Sequence, residues 1–261
     1  MTWYLAYAAL GAVAGILAGL VGVGGGLVFV PGLLLLFHLQ GFDVRWLSHL
    51  AIGTSLALIV PTALSSLWAH HRRGAVDWPA VLRLTPGLLA GAALGAWLAA
   101  RFSTEGLKTL FALFLFLVAW QMLTGAMPRS RARDHGAGLF LSVGAVIGTV
   151  SGLVGIGGGT MTVPFLLWQG KPLPKAVATS AACGLPIALA GALGFMITGA
   201  GRTAGAATGF VYWPAVLLTG ISAVLLAPLG ARLAHTLPVP LLKRFFALLL
   251  ALVGLRLLLA G

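Results

Sequence analysis

The sequence predicts an all-α polytopic membrane protein made of two homologous halves, each a glycine-broken re-entrant helix pair followed by three transmembrane helices. Three observations carry that expectation. Of the 261 residues 60% are hydrophobic and 8% charged, and the mean hydropathy is +1.06, whereas a soluble domain carries about 25% charged residues. A glycine-rich motif is written twice inside long apolar runs: Gly19-Leu20-Val21-Gly22-Val23-Gly24-Gly25-Gly26 leads to Pro31, and Gly152-Leu153-Val154-Gly155-Ile156-Gly157-Gly158-Gly159 leads to Pro164, 133 residues further on. The basic residues behind the net charge of +12 lie in short loops between apolar spans. There they orient a chain against an anionic leaflet and form no nucleic-acid surface.

Apolar segments run over 4–37, 46–70, 78–100, 107–127, 137–168, 174–199, 209–234 and 239–260. The longest hydrophilic stretch, Pro128 to Gly136, separates an N-terminal repeat (1–128) from a C-terminal repeat (137–261), with 129–136 as the linker. The repeats share more than glycines. Thr54-Ser55 recurs as Thr179-Ser180, Trp78-Pro79-Ala80-Val81 as Trp213-Pro214-Ala215-Val216, and Leu107-Lys108 as Leu242-Lys243. Met1 to Tyr4 carries no basic residue ahead of the first apolar run, so that run reads as a retained membrane segment. The single Cys183 excludes an intramolecular disulfide and reads as a packing residue.

Segments 4–37 and 137–168 contain 34 and 32 residues, roughly 50 Å each as continuous helix. That is too long for one hydrocarbon core of about 30 Å and too short for two full spans. Each is either one overlong kinked crossing or a re-entrant pair turning at the glycines. Single crossings divide the 16 basic residues 8 to 8 between the two sides. Re-entrant pairs divide them 11 to 5, with Arg72, Arg73, Arg83, Arg129, Arg131, Arg133, Lys171, Lys175, Arg232, Lys243 and Arg244 together. The second division is the one the positive-inside bias expects. Three full crossings per half then invert the second repeat, leaving both termini outside and the central linker in the cytoplasm.

Broken backbone at membrane depth is tolerated only where it is buried in protein or lines a polar cavity. Each glycine cluster is followed by a helix whose N-terminus faces the break, near Leu27 to Leu36 and Thr160 to Leu167, and such a terminus binds anions. Gly22, Gly24, Gly25 and Gly26 with Gly155, Gly157, Gly158 and Gly159 are therefore candidate substrate-binding positions. Glycine also serves close helix packing, which accounts for Gly87, Gly91 and Gly95 at spacing four. The hydroxyls of Thr54, Ser55, Thr179 and Ser180 either donate to an oxyanion or bond helix backbone. Thr160 and Thr162 stand where the first copy has Leu27 and Phe29, an asymmetry able to orient a substrate.

The four carboxylates, Asp43, Asp77, Glu105 and Asp134, all lie near segment ends or in loops. Cation carriers place one at membrane depth, so the expected substrate is a small anion or a neutral solute. His38 and His49 are the candidates to carry a coupling proton. No P-loop, metal-spaced His/Cys set or nucleophile with a base is visible. No enzyme, cofactor, metal or nucleic-acid partner is expected, the lipid bilayer is, and no motif sets the oligomeric state.

Two GLVGxGGG…P segments, each followed by a Thr-Ser span in a membrane chain of this length, resemble the TauE/SafE family of sulfite exporters and related anion permeases. The resemblance covers nearly the whole chain. It implies a multi-pass bacterial inner-membrane carrier, both termini periplasmic here, for small sulfur-containing anions such as sulfite or organosulfonates. It also implies secondary, ion-gradient-driven transport; the paired glycine breaks themselves suggest alternating access, with the two halves rocking about the site. Gly22, Gly24, Gly25, Gly26 and Pro31 match the first family motif, and Gly155, Gly157, Gly158, Gly159 and Pro164 the second. A channel-like conduit and a non-transporting assembly partner are the alternatives.

Overall fold

A computed structural model describes residues 2–21, 25–125, 136–203, 205–234 and 239–259. All but one residue of the linker expected at 129–136 lies outside them. The chain forms ten helices in those stretches: α1 (Thr2–Val21), α2 (Gly26–Leu39), α3 (Leu47–Arg72), α4 (Trp78–Ala99), α5 (Thr104–Thr124), α6 (Ala137–Val154), α7 (Gly159–Trp168), α8 (Leu173–Thr198), α9 (Trp213–Ala234) and α10 (Val239–Leu259). A two-strand hairpin, β1 (Ala207–Thr208) and β2 (Val211–Tyr212), precedes α9. Local chemistry sets several boundaries. Asp77 caps α4 by accepting the Ala80 N–H, with Pro79 in the first turn. Ser103 caps α5 by accepting the Gly106 N–H at 3.0 Å. The same helix ends at Gly125, whose φ of 62° is left-handed.

Both long N-terminal segments turn back. Gly32 of α2 lies against Leu10 of α1, and the Gln40 amide donates to the Tyr7 hydroxyl at 2.6 Å, so α2 runs antiparallel to α1. Phe140 of α6 and Phe165 of α7 meet edge to face with centroids 5.5 Å apart. The arms are unequal, however. α1 has 20 residues and α6 has 18, while α2 has 14 and α7 has 10. Among the described residues α3, α4, α5, α6 and α8 are long and apolar enough to cross a bilayer. The expected re-entrant pair is thus one long arm and one short arm.

The halves interleave. The first helix of each half packs along the fourth helix of the other: α1 on α9, and α6 on α4. Along α4 and α6 the register rises together, Gly87 facing Leu141, Gly91 facing Ala145 and Gly95 facing Thr149. Gly144 and Gly152 approach the carbonyls of Leu84 and Ala92 so closely that a Cβ would stand only 2.6 and 2.7 Å away. Small residues let two backbones meet at this distance, the usual device between membrane helices. Gly11 and Gly15 do the same against Thr219 and Ala223 of α9. At the centre α3 and α8 run antiparallel, with Gly53 against Phe195, Leu56 against Gly191 and Ala63 against Gly184.

Two faces result. On one, the Thr104 hydroxyl donates to the Arg45 carbonyl at 2.7 Å, the His49 ring pairs with the Ala99 carbonyl at 3.0 Å, and the Arg202 guanidinium lies 4.9 Å from the Trp46 ring centre. On the other, Asp77 before α4 pairs with Lys171 before α8 at 2.7 Å. Large apolar side chains such as Leu64, Trp68, Leu113, Leu117, Trp120 and Leu193 point outward, as a lipid-facing surface requires.

The glycine stack yields a direct test. Gly91→Val drives a side chain into the Ala145 carbonyl and the Thr149 backbone, whereas Gly138 has nothing within 4 Å of its Cβ position. Overpacking of this kind costs about 1–3 kcal/mol or more. Thermal unfolding in detergent is expected to show a lowered midpoint for Gly91→Val and none of that loss for Gly138→Ala.

Candidate functional site at the helix breaks

α6 ends at Val154 because Gly155, at φ 79°, leaves the helix in a left-handed conformation. The N–H groups of Gly155 and Ile156 both return to the Ser151 carbonyl, at 2.8 and 3.1 Å. Gly158, at φ 72°, then turns the chain again and caps α7, its carbonyl accepting the N–H groups of Met161 and Thr162. Among the described residues no backbone acceptor takes the N–H groups of Gly157, Gly158, Gly159 or Thr160. Four donors without a backbone acceptor thus precede or begin α7, at its positive end.

In the first break Gly25 caps α2, its carbonyl accepting from Val28 and Phe29. Gly22 and Gly24 lie outside the described residues. The two breaks touch. A Cβ on Gly26 would stand 2.9 Å from the Ile156 Cα and 3.0 Å from the Gly155 oxygen. Gly155 itself abuts Val30 of α2 and Ile52 of α3. Ile59 of α3 borders both Gly26 and Gly157, and Gly184 of α8 borders the Gly157 carbonyl. Both residues fall near the midpoints of their 26-residue helices, so the contact between the breaks lies level with the middle of α3 and α8.

The repeated hydroxyl pairs divide by role. Ser55, fully buried, donates to the Gly155 carbonyl at 2.8 Å and pins the second break to α3. Thr54 accepts the Tyr212 N–H at 3.0 Å, and Thr179 accepts the Asp77 N–H at 3.0 Å while donating to the Lys175 carbonyl at 2.7 Å. Tyr212 and Asp77 each immediately precede a Trp-Pro pair, so each threonine fastens the start of the opposite half's fourth helix. Ser180 is buried beside Thr179.

Three further hydroxyls surround the start of α7. Ser151, Thr160 and Thr162 have buried oxygens with no hydrogen-bond partner among the described residues, and Ser151 and Thr162 are fully buried. Sequence reasoning singled out Thr160 and Thr162 but passed over Ser151. Its counterpart in the first repeat is Ala18, so a search for repeated positions does not find it. Its place one turn before Gly155 was the available signal.

On the Lys171 face, burial pushes the Asp77 carboxyl upward. The Lys171 ammonium, the Ala80 N–H and the more distant Lys175 outweigh that and hold it below the usual carboxylate range. His49 is buried at the opposite face between Trp46 and Phe210. His38 stands in the last turn of α2.

Two helix breaks in contact beside the middle of α3 and α8, with N–H groups that no backbone acceptor takes among the described residues, fit a membrane transporter. The comparisons narrow the class. The family model described as "Sulfite exporter TauE/SafE" matches residues 7–257, and the chain belongs to that family. It is 34% identical over 257 residues to a "Probable membrane transporter protein" of Haemophilus influenzae, covering 97% of both chains. The "Probable membrane transporter protein YunE" of Bacillus subtilis is 30% identical over 210 residues, 73% of this chain and 77% of that one. A relative of the same printed description in Methanocaldococcus jannaschii is 27% identical, over 96% of this chain and 93% of its own. No solved structure matches significantly.

The Asp77 contacts give a signed pH expectation. A carboxyl held below its unfolded value near pH 3.9 adds stability above that value, and the contribution disappears as pH falls through the folded one. Asp77→Asn keeps a capping side chain and removes the charge. Its unfolding midpoint is expected below wild type at pH 7, with the gap closing below about pH 4.

Proposed function

We propose that this chain is a secondary transporter, working as an exporter, of small sulfur-containing anions such as sulfite or organosulfonates. The observation that carries the reading is the start of α7, level with the middle of α3 and α8: among the described residues, four N–H groups there have no backbone acceptor and three hydroxyls have no partner. Asp, Glu, Lys and Arg are all absent from residues 2–42, 46–71 and 137–170. Such a site offers donors without a fixed charge, and it suits an oxyanion. The proposed substrate-contacting set is Gly155, Gly157, Gly158, Gly159 and Thr160 of the second break; Gly25 and Gly26 of the first break belong to its surroundings, Gly26 packing against Ile156 and Gly155, and Gly22 and Gly24 lie outside the described residues. Thr54, Ser55, Thr179 and Ser180 hold the surrounding frame.

Alternating access follows from the same geometry. Every residue of α3 from Leu47 to Ile59 is buried, which favours a carrier closed on the Arg45 face over an open pore. Beyond Ile59 the helix exposes Pro61, Leu64 and Ser65. Because α1 is packed along α9 and α6 along α4, the bodies that rock are helix pairs drawn from both repeats. An ion gradient drives the exchange.

The halves form an inverted pair in this reading, supported by the antiparallel packing of α3 on α8 and by the return of α7 to the Asp77 face. Arg72, Arg73, Arg83, Lys171 and Lys175 gather towards that face, which is assigned to the cytoplasm of a bacterial inner membrane. Both termini are then periplasmic, and a reporter fused after Gly261 is expected to be active only on the periplasmic side.

Flux of labelled sulfite and organosulfonates in proteoliposomes, with and without a pH gradient, tests the function. Saturable, gradient-accelerated flux is expected. Gly158→Val is expected to abolish it with membrane insertion retained, because its Cβ would stand 2.5 Å from Ile187 in a left-handed backbone. Wild-type flux in that variant refutes the glycine site.

A further inference from the structure

We infer that the two breaks are unequal: the oxyanion is held at the second break alone, by the start of α7 with Ser151 and Thr162, and the site is built for a single negative charge. This rests on the anion-transport reading above and specifies its binding site.

Helical serines and threonines ordinarily return their hydroxyl to the carbonyl one turn back. Thr85, Ser142, Thr149 and Thr198 all do so here. Ser151, on the same helix as Ser142 and Thr149, makes no such bond. Its oxygen lies 3.3 Å from the point where a Cβ on Gly158 would stand, so it faces the cap of α7. Thr162, in the first turn of α7, is equally buried and equally without a partner. A buried hydroxyl left unpaired is destabilising, and an acceptor seated at the α7 terminus satisfies both it and the free N–H groups.

Among the described residues the first break carries no such hydroxyls. At the repeat offset of 133, Ser151, Thr160 and Thr162 correspond to Ala18, Leu27 and Phe29. The buried Phe29 ring occupies the space where a Cβ on Gly25 would stand. The start of α2 is therefore covered by an aromatic ring, while the start of α7 is lined by hydroxyls.

Charge follows from that inequality. One helix terminus is equivalent to about half a positive charge, and no basic residue lies in the segments that form the breaks. A singly charged oxyanion is nearly matched by one terminus and two or three hydroxyl donors. A dianion would leave more than one charge unmatched in a medium of low dielectric, where that is strongly unfavourable.

The test is counterflow of labelled sulfite, presented at mildly acidic pH as the hydrogensulfite monoanion, by the reconstituted protein, with methanesulfonate (one charge) and sulfate (two charges) as competitors. Methanesulfonate is expected to compete at least about tenfold more strongly than sulfate. Ser151→Ala and Thr162→Val are each expected to weaken methanesulfonate competition about tenfold, the worth of one charge-assisted hydrogen bond. Ser142→Ala, whose hydroxyl is exposed and bonded to its own helix, is expected to match wild type. Equal competition by sulfate, or unchanged competition in both folded variants, overturns the single-charge site and leaves anion transport standing. The wild-type comparison decides the point even if a variant fails to fold. Absence of sulfite flux from folded protein overturns the transport reading and this inference together.

Discussion

A backbone that leaves its helix inside a bilayer must find partners in the protein, and this constraint organises the whole molecule. Glycine at 155 and 158 allows the departure by taking left-handed conformations. The carbonyls freed there are then taken up or sheltered: Ser55 donates its hydroxyl to Gly155, and Gly184 leaves just enough room for Gly157. The N–H groups at the start of α7 are the part left open. Structure and site thus share one cause, since the same break that demands wrapping by α3 and α8 also supplies the donors they surround.

The wrapping in turn requires that the repeats not fold apart. Glycine stacks join α4 to α6 and α1 to α9, and two equivalent threonine bonds clasp the start of α4 to α8 and the start of α9 to α3. Each contact crosses from one half to the other. A motion that separated the halves as rigid bodies would break all of them, whereas a motion of mixed helix pairs keeps them. The duplication therefore produced one interlocked body with a pseudo-symmetric frame and an asymmetric centre.

Much of this was legible beforehand. The doubled glycine motif located both breaks, and the expected helices near Leu27 and Thr160 begin within a residue or two of the observed α2 and α7. Gly87, Gly91 and Gly95 were read as packing residues and pack as such against α6. The hydroxyl pairs were harder. Thr54 and Ser55 are adjacent in sequence, yet one bonds Tyr212 and the other Gly155. Neighbouring positions on a helix point about 100° apart, so only the surrounding helices decide what each meets. Ser151 escaped because repetition was the guide, and its importance lies in what the other repeat lacks.

Composition and spacing by themselves determined that the chain is a helical membrane protein with a glycine motif written twice and no carboxylate within its apolar segments, because those properties depend on counts and periods along one dimension. The tertiary structure decided the rest: that α2 and α7 are short return arms, that the first and fourth helices pair across the repeats, that Thr54 and Thr179 act as clasps, and that, among the described residues, buried hydroxyls without a partner stand at the second break. These are distances between residues about 100 or more apart in the chain, such as Ser55 and Gly155 or Thr54 and Tyr212. Side-chain packing sets them, and no local pattern encodes it.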